Sequence, residues 1–230
     1  MTRFIRKTNL LMQFKEVNLP IGATYLCKRL DVPQATVGRM LTQMEKDGLL
    51  EKVGNKGRQL TAKGLAYLEK QCIIDSKKKV ASSLISTVED ISKERLLEIL
   101  DVRKLLECRA IEQACANVTS LEMKELDEIM LEYIYEVKHG GVADEINLRL
   151  HLTIAKISKN ITIYQILRII LTNKSAYSKF SHVADQIKTV QVQQHSALVE
   201  AVKNRDGETG KRLMQQHLEQ VISDVTKNYD

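Results

Sequence analysis

Apolar residues recur along most of the chain at the three- and four-residue spacing of amphipathic helices. In the stretch "INLRLHLTIAKIS" one face carries a stripe of four such residues: Ile146, Leu150, Ile154 and Ile157. In the last two thirds of the sequence, no alternating pattern of useful length and no internal repeat interrupts this helical signal. With only two prolines and ten glycines among 230 residues, the pattern predicts a mainly α protein.

The first 72 residues show a different arrangement, in which two short helices precede two short strands. "IGATYLCKRL" predicts one helix, the proline of "DVP" ends it, and "QATVGRMLTQMEKDG" predicts a second helix that stops at Gly48. "LLEKV" and "QLT" predict strands on either side of the glycine-rich turn "GNKGR". Residues 1–72 are therefore predicted to form a winged helix-turn-helix DNA-binding domain with a small β wing.

The second of these helices has the features of a recognition helix, which enters the major groove of DNA. Its exposed side carries Gln34, Thr36 and Arg39, which we predict to contact base edges. Lys56 and Arg58 in the turn of the wing are predicted to reach phosphates or the adjacent minor groove. A protein-docking module with the same arrangement of helices is the alternative for this segment.

Positive charge is concentrated in the same N-terminal segment. Residues 1–70 contain 13 Lys and Arg against 6 Asp and Glu, a net charge of +7, whereas the whole chain carries +6. The remaining 160 residues therefore sum to −1. A solvated basic face would have the same composition, but this asymmetry favours a polyanion as the partner of the first segment alone.

Residues 73–94 separate this segment from a region of consecutive predicted helices. The polar stretch "SKKKVASSLIS" suits a linker or a connecting helix. Residues 95–230 predict an all-helical bundle, whose first helix, "ERLLEILDVRKLLECRAIEQACA", is strongly periodic. The inward face of this helix is predicted to hold Leu97, Leu100, Leu105, Cys108, Ile111 and Cys115. Ser120 is predicted as the N-cap of the next helix.

The cysteines and the N-terminus bear on the cellular compartment. None of the four cysteines belongs to a CxxC pair: Cys27, Cys72, Cys108 and Cys115. Three of them lie in apolar helical surroundings, and this pattern predicts reduced, buried thiols. The N-terminus, "MTRFIRKTNLLMQF", lacks the apolar run of a signal peptide, and no stretch approaches the roughly 18 uncharged apolar residues of a membrane span. These features predict a cytoplasmic protein with no membrane partner.

Three of the five histidines lie beside the apolar stripes of three different predicted helices: His151, His195 and His217. Asn147 precedes His151 by four residues, which places both side chains on one face of a helix. Imidazoles that converge inside a bundle suit a divalent transition metal such as Zn²⁺ or Ni²⁺. The alternative is that each histidine is isolated in the core and is satisfied by a hydrogen bond to a backbone carbonyl. His139 and His182 are predicted to lie at the surface.

Several of these stretches resemble a known family. "ATVGRMLTQMEKDGLLEKVGNKGRQLTAKG" is similar to the winged helix of transcriptional regulators, and its architecture resembles that of the GntR family. "LDVRKLLECRAIE", "NLRLHLTIAKISKN", "QQHSALVEAVKNRD" and "MQQHL" resemble the ligand-binding FCD domain of the FadR-type branch of that family. Gln34 and Gly38 stand where the family commonly has arginines in the recognition helix.

The resemblance implies a metal site and an effector site in the helical domain. In many members an acidic or amide residue and three histidines bind a metal, and the matching positions here are Asn147, His151, His195 and His217. An arginine on the first helix of that domain often receives a carboxylate effector, and Arg103 matches it.

Asn147 occupies a position where many members have aspartate. An amide does not cancel metal charge, so a site with three neutral imidazoles would keep nearly its full +2 and would hold the metal less tightly. Together with Arg103, this charge favours a small carboxylate that ligates the metal directly. The alternative is that no metal binds and that the histidines contact the effector themselves.

The sequence therefore predicts a homodimeric DNA-binding transcriptional regulator, not an enzyme, whose affinity for operator DNA is controlled by a small carboxylate. One alternative is a metal-dependent, hydrolase-like enzyme, in which Glu107 is a conceivable acid or base. The sequence has no nucleophile motif and no phosphate-binding glycine loop to support it. The other alternative is a constitutive DNA-binding protein with a metal-free dimerisation bundle, in which inward histidines would be costly.

Overall fold

The computed structural model describes residues 6–90, 92–141, 143–172 and 188–228 of the chain. Within these residues it contains ten helices and one two-stranded sheet, so the predicted mainly α fold class is confirmed. The elements, in chain order, are α1 (Lys7–Val17), α2 (Ala23–Leu30), α3 (Gln34–Lys46), β1 (Leu50–Lys52), β2 (Arg58–Leu60), α4 (Ala62–Glu89), α5 (Lys93–Asn117), α6 (Ser120–Lys138), α7 (Asp144–Ile157), α8 (Ile161–Leu171), α9 (Lys188–Lys203) and α10 (Gly207–Asn228).

The chain forms two compact units, residues 1–82 and 83–230. The division falls inside α4, which runs as one helix from Ala62 to Glu89. Most of the segment 73–94, for which the sequence left a linker or a connecting helix open, is therefore helical.

The first unit folds as a winged helix around one apolar core. α1 was not among the predicted elements, yet its Leu10, Leu11 and Phe14 are buried in this core. α2 ends at Leu30 because Asp31 adopts a left-handed conformation, and Pro33 then precedes the first turn of α3. α2 and α3 thus form the predicted helix-turn-helix.

The wing is an antiparallel hairpin that is tied to the loop before α2. β1 pairs with β2 so that Leu50 faces Leu60. Ile21 and Arg58 exchange two backbone hydrogen bonds of 2.9 Å, which add a short bridge to the outer side of β2. Gly57 makes this close approach possible, because a Cβ atom at that position would lie 2.5 Å from the Ile21 carbonyl oxygen.

The second unit is the predicted all-helical bundle. Its main core is built from buried apolar residues of α5, α6, α7, α9 and α10. α8 packs on the outside of α5 and α7 through Leu167, which lies in a smaller cluster with Ala110 and Ala155. The N-cap of α6 is Thr119, one residue before the predicted Ser120, because Thr119 forms a capping box with Glu122.

The predicted inward face of α5 was wrong at two positions. The side chain of Leu105 is 67% exposed, and Leu97 is only half-buried. Arg103 and Glu107 are buried instead, one turn apart. The inward face of α5 accepts these polar residues because they bind each other and a histidine of α7.

The four cysteines are free thiols, but they are not all buried. Cys108 and Cys115 lie in the core of the second unit, whereas Cys27 is half-buried and Cys72 is exposed on α4. The prediction of buried thiols is therefore confirmed for Cys108 and Cys115 and wrong for Cys72. Among the described helices, none combines the length and the apolar character needed to cross a membrane.

The wing predicts a sharp difference between two glycines of the first unit. Gly57 has φ +122° and no room for a Cβ, so Gly57→Ala should destabilise the wing by about 1–3 kcal/mol. Gly38→Ala is the control, since nothing lies within 4 Å of its added Cβ and alanine stabilises a helix by about 1 kcal/mol. Hydrogen exchange at the Ile21 and Arg58 amides should be faster in Gly57→Ala alone. Equal exchange in both variants would contradict this account of the wing.

Candidate functional site

Three imidazole rings from three helices meet inside the second unit. His151 comes from α7, His195 from α9 and His217 from α10, and each side chain is at most 3% exposed. The ring centroids lie 4.7 to 5.3 Å apart. One nitrogen of each ring lies within 4.8 Å of a nitrogen of the other two, so one ion could contact all three rings.

Two of the three rings are held with the same nitrogen directed away from the cluster. His151 Nδ1 lies 2.5 Å from Glu107 Oε2, and His217 Nδ1 lies 2.9 Å from Gln194 Oε1. Because a carboxylate or an amide oxygen only accepts hydrogen bonds, both Nδ1 atoms must carry a proton. In the neutral form of either ring, Nε2 then has a lone pair available to a ligand.

Glu107 also binds an arginine of its own helix. Arg103 Nε donates a 2.7 Å hydrogen bond to Glu107 Oε1, and both side chains are nearly inaccessible to solvent. Burial alone would raise the pKa of Glu107, but the charges of Arg103 and His151 and their hydrogen bonds outweigh it and lower this pKa to about 2. Glu107 is therefore ionised at neutral pH.

One buried polar atom of α7 and one of α9 are left without a hydrogen bond. Within the described part of the chain, Asn147 Oδ1 and His195 Nδ1 are buried and have no partner. Asn147 lies one turn before His151 on α7, so its amide shares a face with that ring. A buried polar atom without a partner costs about 1–3 kcal/mol, which a bound ligand would remove.

The donors fit a divalent transition metal. Burial lowers the pKa of His195 and of His217 well below the usual value, and neighbouring histidines lower both further. These rings are therefore neutral at neutral pH, the form in which imidazole binds a metal. The neutral rings of His195 and His217, the His151 ring and an unpaired amide oxygen form a donor set that suits Zn²⁺ or Ni²⁺.

The structure brings together the histidines that the sequence predicted for the site in the helical unit. The three predicted histidines converge, Asn147 lies one turn before His151 on α7, and Arg103 reaches His151 through Glu107. Glu107 was considered only as the acid or base of an enzyme, although its four-residue spacing from Arg103 signals a pair. His139 is exposed as predicted, and His182 lies outside the described residues.

The recognition helix α3 presents a polar side to solvent. Gln34 and Arg39 are exposed and Thr36 is half-buried, whereas Val37 and Leu41 pack into the core. Arg39 Nε makes a 3.4 Å hydrogen bond with a backbone carbonyl of its own helix.

The two basic residues of the wing differ in their surroundings. Lys56 is exposed in the turn between β1 and β2. Arg58 is half-buried, and its Nε donates a 2.8 Å hydrogen bond to Glu45 at the C-terminal end of α3. Arg58 therefore fixes the wing to the recognition helix, a contact that the sequence did not indicate.

Comparison with family models identifies both units. The FCD domain model matches residues 98–220, more than half of the chain. The winged-helix domain of ribonuclease R matches residues 9–68. A search of curated proteins found no match.

Solved structures share the whole fold at low sequence identity. GntR of Streptococcus agalactiae is 19% identical with a TM-score of 0.51, and the match covers 94% of this chain and 97% of that one. E. coli McbR/YncC is 15% identical with a TM-score of 0.51, covering 99% and 100%. Lar, which controls expression of the Listeria monocytogenes agr system, is 10% identical with a TM-score of 0.54, covering 98% and 99%.

A winged helix followed by an FCD bundle defines a class of DNA-binding transcriptional regulators rather than of enzymes. The chain belongs to the FCD family, the FadR-type branch of the GntR regulators. The hydrolase-like alternative is therefore set aside.

Proposed function

We propose that the histidine cluster is the effector site of this regulator and that it holds a divalent transition metal, zinc or nickel. Nε2 of His151 and of His217, a nitrogen of His195 and Oδ1 of Asn147 would be its ligands. The observation that carries this proposal is the convergence of three buried rings, together with the buried, unpaired Asn147 Oδ1 one helical turn before His151. When bound, the metal would supply a positive charge that attracts an anion.

The effector that this site suits best is a small carboxylate. Asn147 cancels none of the metal charge, and the three rings are neutral donors, so the ligands leave the charge of +2 uncompensated. Arg103 adds a buried guanidinium that is joined to the cluster through Glu107. We propose that a carboxylate group ligates the metal directly while Arg103 stabilises its charge.

The winged helix would carry the DNA-binding function. Gln34, Thr36 and Arg39 would contact base edges in the major groove, and Lys56 would contact a phosphate. Arg58 would act at the DNA backbone from a position fixed by Glu45. Two copies of the chain would bind the two halves of a near-palindromic operator in the cytoplasm.

The proposed division of labour follows the chain. Residues 1–72 would bind DNA, residues 95–230 would bind the effector, and residues 73–94 would connect the two functions. The first segment holds the charge of +7, and the metal-binding donors all belong to the second unit. Effector binding would alter operator affinity by about 1–3 kcal/mol.

Replacing Arg39 should alter both the affinity and the sequence preference of DNA binding. For an operator fragment selected from random DNA, the Arg39→Ala change should weaken the free energy of DNA binding by about 1–3 kcal/mol. It should also relax the sequence preference at one base position. Lys56→Ala should instead weaken binding to all sequences and reduce the salt dependence by about one counterion. Lys124→Ala, an exposed change on α6, is the control. Unchanged affinity and preference in Arg39→Ala would contradict its role.

Zinc or nickel should stabilise the wild-type protein through the histidine cluster. A ligand that binds only the folded state, at a free concentration of about 100 times its dissociation constant, adds about 2.7 kcal/mol to the free energy of unfolding and raises the unfolding temperature. His195→Ala should lose this increase, whereas His139→Ala, at an exposed histidine, should keep it. An equal increase in His195→Ala would show that the metal binds elsewhere, and no increase in the wild type would rule out the metal site.

A further inference from the structure

Glu107 lies between the two parts of the proposed effector site. One carboxylate oxygen accepts the hydrogen bond of Arg103 Nε at 2.7 Å, and the other accepts that of His151 Nδ1 at 2.5 Å. The Glu107 side chain is 2% exposed, so protein groups rather than water must satisfy it. Both of its oxygens are therefore engaged, one by the effector arginine and the other by a metal-binding histidine.

The first consequence concerns the tautomer of His151. A neutral imidazole carries its proton on either nitrogen, and the partner of one nitrogen decides which form is present. The carboxylate keeps the proton on Nδ1, so the lone pair of Nε2 faces His195, whose Nε2 lies 3.3 Å away. Without this acceptor, His151 would be free to place its proton on the nitrogen that a metal needs.

The second consequence concerns Arg103. Its guanidinium is fixed by the same carboxylate, through the rigid four-residue spacing on α5. A shift of Arg103 towards an effector would therefore move the acceptor that orients His151. The two residues belong to different helices, α5 and α7, and Glu107 joins them.

We propose that Glu107 is the positioning residue that couples the carboxylate-binding arginine to the metal-binding histidine. It does this with its two oxygens, without touching the metal or the effector. This inference rests on the proposed function of the cluster. It assigns Glu107 a role beyond stabilising the buried charge of Arg103. The same carboxylate binds Arg103 through one oxygen and orients His151 through the other.

Glu107→Gln tests this role because an amide cannot replace both hydrogen bonds. Arg103 Nε and His151 Nδ1 are both donors, whereas a glutamine side chain has one oxygen to accept and one NH₂ group that only donates. If the oxygen faces Arg103, the NH₂ group faces His151 and favours the proton on Nε2. That tautomer directs N–H, rather than a lone pair, towards the cluster.

The first measurement is the tautomer of His151 in metal-free protein, from ¹⁵N chemical shifts of the imidazole nitrogens. The wild type should show the proton on Nδ1, and Glu107→Gln should move it to Nε2 or give a mixture. Glu112→Gln is the matched control, because Glu112 lies on the same helix in a surface pair with Arg109. The same tautomer in all three proteins would overturn the proposal, whether or not the cluster binds a metal.

The second measurement is zinc affinity, determined by competition with a chelator. Glu107→Gln should bind zinc about 10- to 100-fold more weakly than the wild type, and Glu112→Gln should be unchanged. Wild-type zinc binding with an undiminished Glu107→Gln would refute the role of Glu107 alone. No zinc binding in the wild type would refute the proposed metal site, and the tautomer would still decide the role of Glu107.

A pair of double variants keeps the test valid if Glu107→Gln fails to fold. Arg103→Met with Glu107→Gln removes the competing donor, so the amide oxygen can turn to His151 and restore the Nδ1 proton. Arg103→Met with Glu107→Met replaces the charged pair by apolar groups, which a core tolerates, but leaves His151 without its acceptor. The first double variant should bind zinc about 10-fold more tightly than the second. Equal affinity and equal tautomers in the two would overturn the proposal.

Discussion

Burial of three imidazole rings in an apolar helical core is the constraint on which the second unit depends. Each ring carries two polar nitrogens that water cannot reach, and each nitrogen needs a partner. Glu107 and Gln194 satisfy one nitrogen of His151 and one of His217. Nε2 of His151 and Nε2 of His195 lie 3.3 Å apart, whereas His195 Nδ1 and the amide oxygen of Asn147 have no partner. A bound cation would remove the free-energy cost of burying these unpaired atoms. Apolar residues would have filled a purely structural core without such a cost.

The same constraint explains the surface and the interior of α5. Its buried face has to accommodate Arg103 and Glu107 as well as apolar residues, because Glu107 supplies the acceptor that His151 requires. The charged pair is stable in the core because each member has a partner within 2.7 Å. Leu105 is left on the solvent side. In the first unit, the Arg58–Glu45 pair likewise fixes the wing to α3, a contact that adds to the DNA-binding role predicted for Arg58.

Much of this organisation could be predicted from local sequence pattern. The apolar stripes located the helices, and the proline and glycines located the turns of the winged helix. The convergence of His151, His195 and His217 followed from the inward face of each helix together with the family resemblance. The pairing of Glu107 with His151 and that of Arg58 with Glu45 escaped prediction because these partners are distant in the sequence. The apolar stripe of α5 was misplaced because Leu105 matches the helical period as well as a buried residue does.

In the proposed function, the histidine cluster of the FCD unit controls DNA binding by the winged helix. The most direct test is the dissociation constant for operator DNA, measured on zinc-loaded wild type and on His195→Ala while acetate, lactate, succinate and malate are titrated. In the wild type, the account predicts a change of about 5- to 150-fold with at least one of these carboxylates, and none in His195→Ala. The same operator affinity at every carboxylate concentration, or the same response in the variant, would contradict it.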